Sequence, residues 1–141
     1  MKLHKSLFSI ILFSFLLVGC TGKIDETQWS AIQGDMSIDM VEDSLGKPKE
    51  TYTEKQEMID EINRKVNFAK NLNNNPILSS VEPSNPHEQI IEDMELIRSA
   101  VERDANVKIM QYELEYEDGG TTTRNVYLEN DRVVYYDGAR R

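Results

Sequence analysis

The chain has 141 residues, a net charge of −9, a single cysteine and two histidines. One cysteine excludes a disulfide framework and a thiolate metal cluster. The acid excess repels nucleic acid and anionic headgroups, so proteins are the expected partners, no nucleic acid is expected, and no cofactor is implied.

The N-terminus reads as an export signal. Lys2, His4 and Lys5 make a basic start, and Leu7 to Val18 form an apolar run broken only by Ser9 and Ser14. The run is shorter than the roughly twenty residues of a membrane-spanning helix. It suits the core of a signal peptide, about 7–15 residues. Leu17, Val18, Gly19 and Cys20 resemble the bacterial lipobox. That resemblance implies cleavage between Gly19 and Cys20, with a diacylglyceryl group on the Cys20 thiol. Residues 1–19 are then a lipoprotein signal peptide, and residues 20–27 a lipidated tether. Such a motif makes a chain anchored rather than spanning, and several acyl chains on one residue hold stably. A plain secretory signal with a nearby cysteine, or an uncleaved anchor, are the alternatives. Localisation is expected to be extracytoplasmic and membrane-anchored, on the outer membrane if the host has one. The leader carries two lysines and no acid, so its removal takes the net charge from −9 to −11.

A first helix is expected over Glu26 to Gln33, with Trp29 and Ile32 on one side and Gly34 as its stop. The next segment, "GDMSIDMVEDSLGKPKE", is well punctuated. Ser37 reads as an N-cap. Met36 and Val41 are spaced for a hydrophobic staple. Ile38, Val41 and Leu45 form an apolar stripe. Gly46 ends the helix, and Pro48 prevents an immediate restart. A longer helical pattern covers 54–72. A linker rich in Asn, Ser and Pro follows from Asn71 to Pro86, and a third pattern runs from His87 to Arg103. Two amphipathic helices about a polar linker predict an antiparallel pair.

The period then changes to two. From Val107 to Glu117, Met110, Tyr112, Leu114 and Tyr116 alternate with Gln111, Glu113, Glu115 and Glu117, predicting a half-buried strand. "EDGG" at 117–120 is a turn signal. A second strand is expected over Thr122 to Glu129 and a third over Arg132 to Tyr136, with Asn130-Asp131 between them. The fold class is therefore α+β: two short helices packed on a three-stranded antiparallel meander, ααβββ, with a helical-hairpin insertion before the sheet.

These elements, behind a lipobox, resemble the BamE (SmpA/OmlA) domain family of small bacterial lipoproteins. The matching residues are Gly34, Met36, Ser37, Val41, Leu45, Gly46 and Pro48, then "YELEYEDGGTTTRNVYLENDRVVYYDG". Asp35 is an extra residue between Gly34 and Met36, and residues 51–105 stand where the family has a short connection. The resemblance implies a BamE-like domain over 28–138 with a helical insert at about 51–105. It implies a non-catalytic, protein-binding envelope lipoprotein, with the outer-membrane assembly machinery as candidate partner and membrane lipid engaged through acylated Cys20. An inhibitor or exclusion lipoprotein from a mobile element, blocking a cell-surface enzyme or receptor, is the alternative.

Candidates for chemistry are sparse. His87 sits at a helix start beside Glu88 and Glu92, which read as a solvated face. Ser44 and Lys47 satisfy Ser-x-x-Lys, but Gly46 breaks the helix that would aim one at the other. Glu113, Glu115, Glu117 and Asp118 read as the wet face of a strand. Tyr135 and Tyr136, adjacent in a strand, must point to opposite faces, so one of them is expected to be exposed as a candidate interface. No catalytic or metal-binding residue is assigned. An envelope enzyme would need a concave pocket with clustered, desolvated acids.

Overall fold

A computed structural model describes residues 23–74 and 86–139. Gly19, Cys20, the signal peptide and the centre of the Asn-rich linker lie outside the described residues. The elements in chain order are β1 (Lys23–Ile24), α1 (Glu26–Trp29), α2 (Ile38–Leu45), β2 (Glu50–Tyr52), α3 (Lys55–Asn73), α4 (Pro86–Glu102), β3 (Val107–Glu115), β4 (Thr121–Glu129) and β5 (Arg132–Tyr136).

The fold is α+β, as the change of period predicts. The sheet is larger than a three-stranded meander. β3, β4 and β5 form the expected antiparallel run. On the other edge of β3, β1 pairs parallel at Glu113–Leu114 and β2 pairs antiparallel at Ile109–Gln111. Residues read as tether and insert thus enter the sheet. Strands of two and three residues show no periodicity to read.

Both faces of the sheet are covered. Met110, Tyr112, Leu114, Val126 and Leu128 pack with Trp29, Ile32, Val41 and Leu45 on the α1–α2 side. Val107, Ile109, Tyr127 and Tyr135 pack on the opposite side with Met58, Ile62 and Val66 of α3 and Met94, Ile97 and Val101 of α4. The helical pair is therefore the second layer of the core. This corrects the expectation that one of Tyr135 and Tyr136, the candidate interface residues, is exposed. Tyr135 is 4% exposed and meets Tyr127 edge to face, with ring centroids 5.5 Å apart. Tyr136 is half-buried and packs against Trp29 at 6.5 Å.

The local signals act largely as read. Ser37 Oγ accepts from Met40 N at 3.3 Å and caps α2, and Met36 packs against the cluster that holds Val41. Asn130 and Asp131 both have positive φ, 53° and 60°, the signature of a two-residue I′ hairpin turn. The first helix ends early, at Trp29. Its N-cap is Asp25, whose Oδ1 accepts from Gln28 N at 2.7 Å while Gln28 Oε1 accepts from Asp25 N. Beyond it the left-handed residue is Asp35, φ 67°, rather than Gly34. Asp35 N donates to Val133 O at 2.8 Å, so pairing with the β5 edge sets that conformation.

Gly46 leaves α2 at φ 77°, ψ −166°, its N–H donating to Glu42 O. This region is essentially restricted to glycine, at a cost of about 1–3 kcal/mol for other residues. Gly46→Ala is therefore expected to destabilise by about that amount. Gly34→Ala, with open space around the site, is expected to be neutral or to stabilise by up to about 1 kcal/mol. Chemical denaturation of the two variants checks the contrast.

Candidate functional site

One end of the sheet, where β3 ends, β4 begins and β5 ends, carries an open cleft of about 450 Å³ beneath α3. Its floor is polar although it borders the core. Asn125 is 3% exposed, Asp137 7% and Glu61 8%. Glu61 lies on the sheet-facing side of α3 with Met58 and Ile62, which places a carboxylate among apolar neighbours. A buried carboxylate must be paired or hydrogen-bonded, and Asn125 meets this need for both acids. Its backbone N–H donates to Asp137 Oδ2 at 3.0 Å. Its Nδ2 donates to Glu61 Oε1 at 2.6 Å and to the Tyr127 hydroxyl at 3.3 Å.

Each acid also has a cation. Arg64 pairs with Glu61, and Lys65 Nζ lies 2.7 Å from Asp137 Oδ1. Asn125 Oδ1 is buried with no hydrogen-bond partner among the described residues. Tyr127 is fully buried. Its hydroxyl is pushed well above the usual tyrosine range by burial, reinforced by the Asp137 carboxylate, and so stays protonated.

Arg124, which lines the cleft, ties it to α1. Arg124 grips Glu26 through both guanidinium nitrogens, at 3.0 and 2.7 Å. Its guanidinium stands 5.7 Å from the centre of the Trp29 ring. Trp29 Nε1 donates to Asp137 O at 2.9 Å. Three cations thus face three carboxylates, and the cleft is close to neutral within an acidic chain. On its margin stand Phe68, 59% exposed, and Tyr116, 39% exposed.

Sequence reading passed over this site. Glu61 sits in a helix whose charges read as a wet face, and Asn125 breaks no alternation. The only trace is a lone polar residue beside Val126 and Tyr127 in a strand covered on both sides.

The residues singled out from sequence lie elsewhere. Ser44 Oγ donates to Met40 O at 2.8 Å, along its own helix, and Lys47 is exposed beyond Gly46. His87 is half-buried at the start of α4. Among the described residues no group of three or more His, Cys, Asp or Glu is arranged to hold a metal ion. No described helix is long and apolar enough to cross a membrane.

In the acidic row, Glu113 accepts from Lys49 Nζ at 2.7 Å, and Lys23 lies 3.6 Å away. The Lys49 hydrogen bond, with the charges of both lysines, holds its carboxyl below the usual glutamate range. A depressed carboxylate pKa adds stability above the unfolded-state value, and this is lost as pH falls through the folded value. Lys49→Met is expected to return the Glu113 titration toward that of a free glutamate, as read by NMR. The stability change should be small because the pair is exposed.

No family model, no curated protein and no solved structure matches the chain.

Proposed function

We propose that the chain is a lipid-anchored, non-catalytic envelope lipoprotein whose BamE-like domain binds a protein partner at the membrane surface. The observation that carries this reading is the position of β1. Lys23, three residues after the lipobox cysteine, is paired with Glu113 in the sheet. Three extended residues reach at most about 10 Å. A lipid on Cys20 would therefore clamp the domain against the bilayer, where membrane-bound partners are concentrated.

The motif residues support the BamE-like assignment through their roles. Ser37 caps α2, Val41 and Leu45 lie in the core, and Gly46 turns the chain toward the sheet. The non-catalytic reading comes from the BamE resemblance; in the cleft, Glu61 and Asp137 each hold Asn125 and a cation.

The surface offered to a protein is the outer face of α4. Leu96 is 69% exposed there, within a helical stripe of exposed Glu88, Glu92 and Glu95. An apolar centre ringed by acids suits a partner with a basic rim. By the BamE resemblance, the role is support of outer-membrane protein assembly or envelope integrity.

The test is photo-crosslinking in the native host from position 96, with position 47 as control. Capture of a β-barrel assembly component from position 96 alone supports the assembly role. Capture of a cell-surface enzyme or receptor favours the inhibitor reading. The absence of any protein adduct sinks the protein-binding role.

A further inference from the structure

We propose that the cleft beneath α3 takes up an extended segment of a partner protein, which pairs with the open edge of β4 and continues the line of β5. The inference rests on the geometry of the cleft. It needs neither the lipid anchor nor the outer face of α4.

The open edge follows from the ladder. β3 and β4 pair without a shift, from Val107 with Glu129 to Glu115 with Thr121. Asn125 turns both backbone groups to the side away from β3. Its N–H donates to Asp137 Oδ2 and its C=O accepts from Asp137 N, each at 3.0 Å. Backbone groups in an antiparallel strand alternate from one side to the other. Thr123 and Thr121 therefore point their N–H and C=O the same way as Asn125. β5 does not reach them, because its last pair with β4 is Tyr136 with Val126. Past Asp137, Gly138 takes φ 86° and Ala139 N donates back to Tyr136 O, which turns the chain off the strand line. Among the described residues no strand pairs with 121–123 on this side.

This edge lies in the cleft, which Thr122 and Thr123 line together with Arg64 and Phe68 of α3. Its unpaired groups are amide donors and acceptors at strand spacing, and a polypeptide main chain is their complement. Strand addition works in this way, with main-chain bonds giving affinity and alternate side chains giving specificity. Free edges are usually blunted by charged side chains or proline, whereas Thr121, Thr122 and Thr123 carry no charge. The outer edge of β3 is covered by β1 and β2, and that of β5 by Asp35, Met36 and Ile38. The cations and carboxylates of the cleft are paired with one another, so an uncharged segment suits it. Exposed Phe68 and Tyr116 on the margin favour an apolar or aromatic side chain in that segment.

Hydrogen exchange of the purified full-length protein in detergent reads the edge directly. The Thr123 amide should exchange at least about tenfold faster than those of Thr122 and Arg124, which face β3. Equal protection of the three would overturn the open edge. A phage-displayed library of short random peptides is then panned against the same protein, and the most enriched sequence is synthesised. Its binding should slow exchange at Thr121 and Thr123. Methylation of its backbone nitrogens should weaken binding by about tenfold at alternate positions only, one hydrogen bond being lost at each.

Thr123→Pro removes an edge donor where the N–H faces away from the ladder, a position at which proline is tolerated, and should weaken binding by a similar factor. Phe68→Ser, on an exposed helix face, is a second variant that keeps the fold, and it should also weaken binding. Leu96→Ser should leave the affinity unchanged, which separates this site from the α4 face. No enriched peptide, protection confined to other residues, indifference to methylation, or loss of binding in Leu96→Ser would each overturn the proposal.

Discussion

Trp29→Ala is expected to destabilise the domain by about 3–5 kcal/mol, the range for a buried aromatic cut back to a methyl group. That is a large part of the roughly 5–15 kcal/mol that holds a domain of this size. Trp29 is 3% exposed. It meets Tyr112 at 6.2 Å and Tyr136 at 6.5 Å, both edge to face. It carries the Arg124 guanidinium on its face and bonds Asp137 O through Nε1. The short helix it ends has little stability of its own, so this side chain fixes α1 to the sheet. Trp29→Phe keeps most of the apolar area and loses the indole N–H. It should cost about 1–2 kcal/mol beyond any loss of packing, because Asp137 O loses its buried donor. Urea denaturation followed by circular dichroism orders the two variants. A loss below about 1 kcal/mol for Trp29→Ala would mean that α1 contributes little to the core.

Asn125→Leu is expected to cost about 3 kcal/mol, even though the two side chains are similar in size, because it leaves Glu61 Oε1 buried without its donor. The 2.6 Å bond from Asn125 Nδ2 is the tie between α3 and the sheet at this point. Replacing both partners, Glu61→Leu with Asn125→Leu, should recover most of that loss, since an apolar pair has no polar group to desolvate. The double-mutant cycle therefore gives a strongly non-additive result. Additive losses would mean that the two side chains do not interact in the folded state.

What the sequence made legible follows from the kind of signal each element carries. α2 is specified by local chemistry: Ser37 caps it, Val41 and Leu45 face inward, and Gly46 supplies a backbone angle few residues accept. The same holds for the Asn130-Asp131 turn and for β5, whose bounds match the expected ones. β1 and β2 were not legible, because they are strands only by pairing with β3. The two-sided burial of the sheet was also hidden. Alternation in β3 pointed to one buried face through Met110, Tyr112 and Leu114, but Val107 and Ile109 on the other face meet the helical pair. That misreading carried over to Tyr135 and Tyr136, since a strand with one wet face must expose one of two neighbours, whereas a sheet between two helical layers need not. The cleft depends on the same long-range packing. Glu61 and Asn125 are 64 positions apart, and nothing local in either segment announces the other.

The tether was misjudged in a way that matters for function. A polar stretch between a lipidated cysteine and a domain reads as slack, yet Lys23 and Ile24 are already in the sheet. An acyl group on Cys20, as proposed, would hold Lys23 within about 10 Å of it.

The most direct test of lipid anchoring is metabolic labelling of the full-length chain in its native host with an alkyne fatty acid, followed by fractionation of the envelope. Labelling of the wild type in the membrane fraction, with loss of label in Cys20→Ala, is the expected result. An unlabelled wild-type chain, or label that survives Cys20→Ala, would contradict anchoring through Cys20.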